Sequence, residues 1–285
     1  MMNKHIHTNR LVSLPGSITT GIVALLIMIG CETVVDVDIP DHEPVIVANC
    51  LFSSEEDWQL HLCKSRRILD NDSFENITDA TVHIYEDDEV VAILAQSAPG
   101  LYNLSQGSRP IPGHEYTLVV SAPGLAEVSS CDSLPIPVQI DRYTVDSAVN
   151  PENITIYFTD PPDIKNYYQV LILQEYAGSA YPIEFESDDL IFETWGGVEA
   201  DEAYFEDSLI SGQSYALKMR LEPFYPVDYV YILLLSVSES YYKYMQSTKE
   251  LDDNPFVEPL RAFGNINNGF GIFAGYTYSV VRLSL

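Results

Sequence analysis

ATVHIYEDDEVVAILAQSAPGLYNLSQGSRPIPGHEYTLVV, residues Ala80 to Val120, alternates apolar and polar positions in short runs separated by turn-formers. Val82 and Ile84 share one side of the first run, which ends in the polar turn Glu86-Asp87-Asp88-Glu89. Val90 to Leu94 follows, then Gly100-Leu101-Tyr102-Asn103-Leu104, and Pro110-Ile111-Pro112-Gly113 leads into Tyr116-Thr117-Leu118-Val119-Val120. A period of two puts alternate side chains on opposite faces, as in a half-buried strand. Short strands about ten residues apart with Gly and Pro between them predict a β-sandwich. Gly113 permits the turn, and Tyr116, Leu118 and Val120 fill one core-facing side with a hydroxyl at its rim.

The same period extends in both directions. Upstream, Pro44 to Phe52 and Trp58, Leu60 and Leu62 predict a hairpin around the turn Ser53 to Asp57. Downstream, a strand starting at Val128 runs into Leu134-Pro135-Ile136-Pro137-Val138. Two prolines in alternate positions make a stiff extended connector and cannot sit in a central strand. Composition changes there too: all of the 19 tyrosines except Tyr85, Tyr102 and Tyr116 lie from Tyr143 onward. The expected organisation is a leader over 1–30, an acidic tether over 31–43, one domain over 44–134, a connector over 135–142 and a second domain over 143–285.

In the second half, strands are predicted at Ile154–Phe158, Tyr167–Gln174, Ile183–Glu186, Leu190–Thr194, Tyr215–Leu221, Val227–Val237 and Tyr276–Leu283. A helix is expected over 239–251 with Ser238 as its N-cap and Tyr241, Tyr244, Met245 and Thr248 along one side as a core face. Gly264, Gly269, Gly271 and Gly275 in the segment 264–276 suggest positive φ or close backbone contact, read as a turn before the last strand. The fold class is therefore all-β: two β-sandwich domains, with one helix in the C-terminal one. The signals of the N-terminal half resemble a prealbumin-like or Ig-like sandwich, and those of the C-terminal half resemble a fibronectin-III-like domain. Fold alone does not assign a function.

The 285 residues carry 14 Lys+Arg against 42 Asp+Glu, a formal charge of −28. Nucleic-acid binding is disfavoured, because a phosphate backbone is held by clustered Lys and Arg. At 46% hydrophobic the chain has ample surface to bury, so it is not a disordered acidic tail.

Lys4 and Arg10 precede a 12-residue apolar stretch, Ile18 to Ile29, too short for a helix that must supply about 20 apolar residues to span a bilayer. It ends in Met28-Ile29-Gly30-Cys31, which resembles a bacterial lipobox, and by that resemblance Cys31 is acylated and becomes the new N-terminus. Glu32, Asp36 and Asp38 follow, similar to the acidic export signal of surface lipoproteins; a solvated tether is the plain alternative.

Cys50 and Cys63 fall on adjacent predicted strands and are the candidate disulfide, leaving Cys131 as a free, buried thiol. After the leader, His42, His61, His83 and His114 show no zinc-ligand spacing, and no G-x-S-x-G elbow occurs, so no catalytic residue is assigned and no enzyme is expected. No cofactor is implied; Asp70-Asn71-Asp72, Asp87-Asp88-Glu89, Asp188-Asp189 and Asp252-Asp253-Asn254 admit weak calcium binding without the spacing of a full calcium loop.

YYKYMQS at 241–247, NPFVEP at 254–259 and GNINNGFGIFAGY at 264–276 together resemble the family called domain of unknown function 4249, found in Bacteroidetes lipoproteins. GLYNL, PGHEYTLVV and DPPDIKNYYQV at 160–170 fall in the family's order. The resemblance implies no chemistry, but it implies an outer-membrane location and, as a partner, a TonB-dependent receptor of the kind often encoded beside family members. The expected function is a non-catalytic, surface-facing lipoprotein that assists nutrient uptake; a free-standing adhesive or structural lipoprotein binding a glycan or protein is the alternative. Trp195, Phe270 and Phe273 are the candidate contact residues, the last two within the family's glycine motif.

Overall fold

The computed structural model describes residues 43–67, 73–146, 153–192, 198–221, 229–253 and 262–284. The leader, Cys31 and the tether lie outside them. From His42 to Leu285 the chain forms one compact unit, all-β in class and sandwich-like in packing.

The predicted hairpin is β1 (Ile46–Phe52) with β2 (Gln59–Lys64), joined antiparallel. The Ala80–Val120 stretch yields β3 (Thr81–Glu86), β4 (Glu89–Ala98), β5 (Leu101–Gly107) and β6 (Glu115–Ser121), followed by β7 (Val128–Ser133). Asp87 and Asp88 adopt φ of 46° and 66°, the left-handed pair that a two-residue hairpin turn between β3 and β4 requires.

The second half contributes β8 (Ile140–Val145), β9 (Asn153–Thr159), β10 (Tyr167–Tyr176), β11 (Ser179–Pro182), β12 (Phe185–Ser187), β13 (Val198–Ala200), β14 (Glu202–Glu206), β15 (Ser214–Leu221) and β16 (Tyr229–Val237). Helix α1 (Glu239–Asp253) and β17 (Phe270–Leu283) complete it.

A 12-stranded sheet runs β11-β10-β16-β17-β1-β2-β5-β4-β3-β6-β7, with β14 also pairing β10, and a five-stranded sheet runs β13-β12-β15-β9-β8. The larger sheet passes through both halves because β17 has two partners. Its start pairs parallel with β1, Val47 opposite Phe270 and Phe52 opposite Gly275, and its end pairs antiparallel with β16, Val237 opposite Tyr276. The glycine segment expected as a turn is thus largely strand. Its glycines allow the backbone approach: at Gly271, φ is 109° and a Cβ would overlap the Ala48 carbonyl oxygen.

Two cores result. In the C-terminal half, Phe158, Leu217 and Phe185 of the five-stranded sheet pack on Tyr168, Val170, Ile232 and Leu234 of the larger one, a two-sheet sandwich. The N-terminal half reaches two layers differently: Ile46, Leu60, Ile84, Tyr102, Leu118 and Val128, all on the larger sheet, face one another. The sheet curls until β7 meets the segment leading into β17, where Asn267 N donates to Ser129 O at 2.7 Å and Ser130 Oγ to Asn265 O at 2.9 Å. Register shifts between Ile84 and Tyr85, Ile93 and Leu94, and Gln96 and Ala98 supply the bend that bulges impose.

The connector is stapled to the sheet. Leu134 is buried, Val138 N donates to Ser236 Oγ at 3.0 Å, and Thr277 Oγ1 donates to Pro135 O at 3.1 Å.

Helix α1 starts where predicted: Ser238 Oγ accepts from Tyr241 N at 3.2 Å as an N-cap does. Its Tyr241 is buried, with Tyr244 and Met245 packed against the same cluster, so this side is a core face. Under the helix, the Gln169 amide is fully engaged, donating to Glu202 at 2.6 Å and Tyr204 at 3.0 Å and accepting from Tyr241 at 2.9 Å.

One strand expectation is corrected. Leu190–Phe192 is a 3-10 turn: Asp189 Oδ1 accepts from Ile191 N at 3.3 Å, an Asx turn that outcompetes extension while burying Ile191 and Phe192. The rest of that predicted strand, 193–194, lies outside the described residues.

Candidate functional site

The outer face of the five-stranded sheet is built by alternation. In β9, Ile154, Ile156 and Phe158 turn inward to the core, which sends Thr155 and Tyr157 outward. In β15, Leu217 and Met219 turn inward and Lys218 outward, exposed. The register places Arg142, Tyr157 and Ala216 in one cross-strand row, Thr144, Thr155 and Lys218 in the next, and Asn153, Arg220 and Glu186 beyond it.

The Arg142 guanidinium carbon lies 3.3 Å from the Tyr157 ring centre, a close cation–π stack. Hydrogen bonding with Thr144, then with Arg142, with Lys218 nearby, holds the Tyr157 phenol below its usual pKa range. Arg220 Nε donates to Glu186 Oε2 at 3.1 Å in an ion pair. An open cleft of about 1230 Å³ lies here, lined by Thr144, Asn153, Thr155, Glu186, Lys218 and Arg220 among others. At one side, Tyr215 hydroxyl donates to Asp189. The arrangement supplies hydroxyl, amide, cationic and carboxylate groups on a rigid floor; it can bind a polar ligand.

The expected site residues fall elsewhere. Phe273 is fully buried, its ring centre 4.6 Å from that of Phe52 and 6.1 Å from that of Trp58, so it is a core residue and not a contact position. Its neighbours Ile272 and Ala274 are buried as well, on the opposite face in the cluster with Tyr241 of helix α1, so this part of β17 is covered on both sides. Phe270, at the start of β17, is 39% exposed. Trp195 and Cys31 lie outside the described residues.

The candidate disulfide is not formed: Cys50, Cys63 and Cys131 are free thiols. Register sets Val47, not Cys50, opposite Cys63, leaving the two cysteines three residues out of step, roughly 10 Å along the strands. Burial raises the Cys50 thiol to about 12. Cys131 is exposed, contrary to the expectation of burial.

Among the acidic clusters, Asp87 and Asp88 serve the hairpin turn and Asp189 the Asx turn; Asp70 to Asp72 lie outside the described residues. Among the described residues, no group of three or more His, Cys, Asp or Glu is placed to hold a metal ion. No helix among them is long and apolar enough to cross a membrane.

Arg142, Tyr157 and Lys218 carry no motif that singles them out in the sequence. Their alternation with core residues is legible there, but their adjacency depends on which strands are neighbours.

The profile of the family described as domain of unknown function (DUF4249) matches residues 32–282. The chain belongs to the DUF4249 family. In this DUF4249 chain the matched span takes in every described strand except the last residue of β17. No curated protein matches it in sequence. Among solved structures, the chain is similar to a Salmonella alpha-2-macroglobulin mutant, Y1175G, at 12% identity and a TM-score of 0.26. That likeness covers 86% of this chain but only 15% of the macroglobulin.

Proposed function

We propose that the protein is a non-catalytic lipoprotein of the outer membrane, held by acyl chains on Cys31 and facing outward, that docks on a TonB-dependent transporter and assists nutrient capture or uptake. The observation carrying this reading is Met28-Ile29-Gly30-Cys31 directly at the end of a 12-residue apolar run, with Glu32, Asp36 and Asp38 behind it. The charge of −28 supports attachment by lipid, since an acidic body is repelled by an anionic membrane surface.

The fold is suited to docking. Because one sheet joins both halves, exposed rings such as Tyr176, Tyr181 and Phe270 are held on a rigid body. Aromatic side chains bury much area at low entropy cost, which favours them in interfaces. The polar cleft on the five-stranded sheet favours a second reading, a free-standing adhesin that binds a glycan.

The test is a mild-detergent pull-down of the tagged lipoprotein from its native envelope with mass spectrometry. Stoichiometric recovery of a TonB-dependent receptor is expected; recovery of the protein alone from well-solubilised membranes overturns the transporter reading. Cys31→Ser is expected to release the protein from membranes, and retention in the outer-membrane fraction overturns the anchor.

A further inference from the structure

Strand β8 is an uncovered edge of the five-stranded sheet. Among the described strands it pairs only with β9, and its residues from Asp141 to Thr144 are exposed. An edge of this kind leaves backbone donors and acceptors ready to pair with another strand, and proteins usually blunt it. The other edges are blunted: β13 has three residues, β11 ends on Pro182, and Ser129 of β7 is bridged to Asn267. In contrast, β8 has six residues and contains no proline, glycine or lysine. Its one irregularity lies at its start, where the register shifts between Ile140 and Arg142 and Ile140 N donates to Ser279 Oγ at 3.0 Å.

The direction of its open backbone groups follows from the pairing with β9. Asp146 N donates to Asn153 O at 2.9 Å, Thr144 stands opposite Thr155, and Arg142 stands opposite Tyr157. Antiparallel pairs alternate between hydrogen-bonded and non-hydrogen-bonded, so Arg142, Thr144 and Asp146 turn their N–H and C=O groups toward β9. Tyr143 and Val145 turn theirs to the open side. Side chains alternate too, with Arg142, Thr144 and Asp146 on the outer face and Tyr143 and Val145 on the face where Val145 packs against the core.

We propose that β8 pairs with β8 of a second copy of this chain, antiparallel about a two-fold axis at Thr144, joining two five-stranded sheets into one continuous sheet. Arg142-Tyr143-Thr144-Val145-Asp146 is complementary to its own reverse. In that register Thr144 meets the second copy's Thr144, Tyr143 meets the second copy's Val145, and Arg142 meets the second copy's Asp146. Thr with Thr, aromatic with β-branched, and opposite charges are all favourable cross-strand pairs. Tyr143 and Val145 are also the residues with open backbone groups, so the same register lets them exchange N–H···O bonds.

An isologous contact must be self-complementary, and this segment is. A shift of two residues in either direction keeps the backbone bonds but separates Arg142 from Asp146, so the charges select the register. The Arg142 guanidinium, stacked on Tyr157 in the single chain, reaches the second copy's carboxylate by turning about its exposed side-chain arm. The charge of −28 on each copy opposes association, so the dimer is weak and is favoured by salt that screens the repulsion.

This inference does not rest on transporter docking. The test is sedimentation of the full chain in density-matched detergent, with micelles in excess over protein, from micromolar to millimolar concentration in high salt. A reversible monomer–dimer equilibrium is expected. Arg142→Asp and Asp146→Arg each set like charges against one another twice per dimer, and each is expected to weaken association at least about tenfold. Mixed in equal amounts, the two variants are expected to recover dimerisation, because one chain brings two acids and the other two bases. Both residues are exposed, and matched melting curves confirm that the variants fold. Thr144→Cys, at a Cα separation of about 4.5 Å across the axis, is expected to cross-link under mild oxidation faster than the native chain with its exposed Cys131.

A chain that stays monomeric at millimolar concentration overturns the proposal. A dimer indifferent to both charge reversals also overturns it, since the contact then lies elsewhere, and so does a mixture of the two variants that stays monomeric. Transporter recovery from membranes is a separate readout, so failure of either leaves the other standing.

Discussion

Asp132, on the last strand of the N-terminal half, accepts a hydrogen bond from the hydroxyl of Ser238, the N-cap of helix α1. The same carboxylate oxygen accepts from Gly275 N, at 3.0 Å, on the strand that joins the two halves. A single side chain therefore links β7, α1 and β17.

Burial raises the Asp132 carboxyl to about 6, although hydrogen bonds from Ser238 and Gly275 act in the opposite direction. The folded protein holds this proton more tightly than the unfolded chain, whose carboxyl titrates near 4. The Asp132 contribution to stability is thus greatest below about pH 4 and falls as pH rises through 6, by about 3 kcal/mol. Asp132→Asn is expected to lack that slope. Urea unfolding of both proteins at pH 4 and pH 7 checks it: the stability of the variant relative to the wild type should increase with pH.

Ser238→Ala removes the cap on Tyr241 N and the hydroxyl given to Asp132 together. A loss of about 2 kcal/mol in chemical denaturation is expected. Ser238→Thr, which keeps both groups, should lose less than half as much.

Gly271→Ala and Gly124→Ala separate two kinds of glycine requirement. Both positions have positive φ, 109° and 75°, but a Cβ at Gly124 meets nothing within 4 Å whereas one at Gly271 meets the Ala48 carbonyl. Gly124→Ala is expected to cost about 1 kcal/mol. Gly271→Ala should cost at least about 3 kcal/mol, because the parallel pairing with β1 must open. Equal melting temperatures for the two variants would contradict this.

Phe273→Ala is expected to destabilise by about 3–5 kcal/mol, the cost of emptying a core site among Phe52 and Trp58. Phe270→Ala, at a half-open position, should cost under about 1 kcal/mol. Thermal melts of the two variants provide the comparison.

Apart from Cys31, native alkylation should modify Cys131 alone, since Cys50 and Cys63 are buried. The Cys131 thiol is held above its ordinary range, chiefly by burial, so its labelling rate should keep rising with pH beyond that of a free thiol. Mass spectrometry after labelling in native buffer and in urea distinguishes the three sites, and a reducing agent should leave the melting temperature unchanged.

Local pattern accounts for most of the strands. Alternation at Val82 and Ile84 and at Ile154, Ile156 and Phe158 marks residues that prove buried, because the period of two belongs to each strand alone. Ser238 as N-cap is legible for the same reason: its partner Tyr241 is three residues away. The Asx turn at Asp189 is hidden because its apolar successors imitate a strand.

What the sequence by itself determined is the all-β class, the positions of most strands, the start of the helix and, through its motifs, the family. Pairing is what only the tertiary structure decided. Nothing local announces that Gly271 lies beside Ala48, that Phe273 faces Phe52, or that Arg142, Tyr157 and Lys218 come from three strands to one surface. Those outcomes depend on strand order and register, and a shift of one residue would send each side chain to the opposite face. The energy that selects among registers comes from burying both cores at once, a property of the folded chain and not of any segment of it.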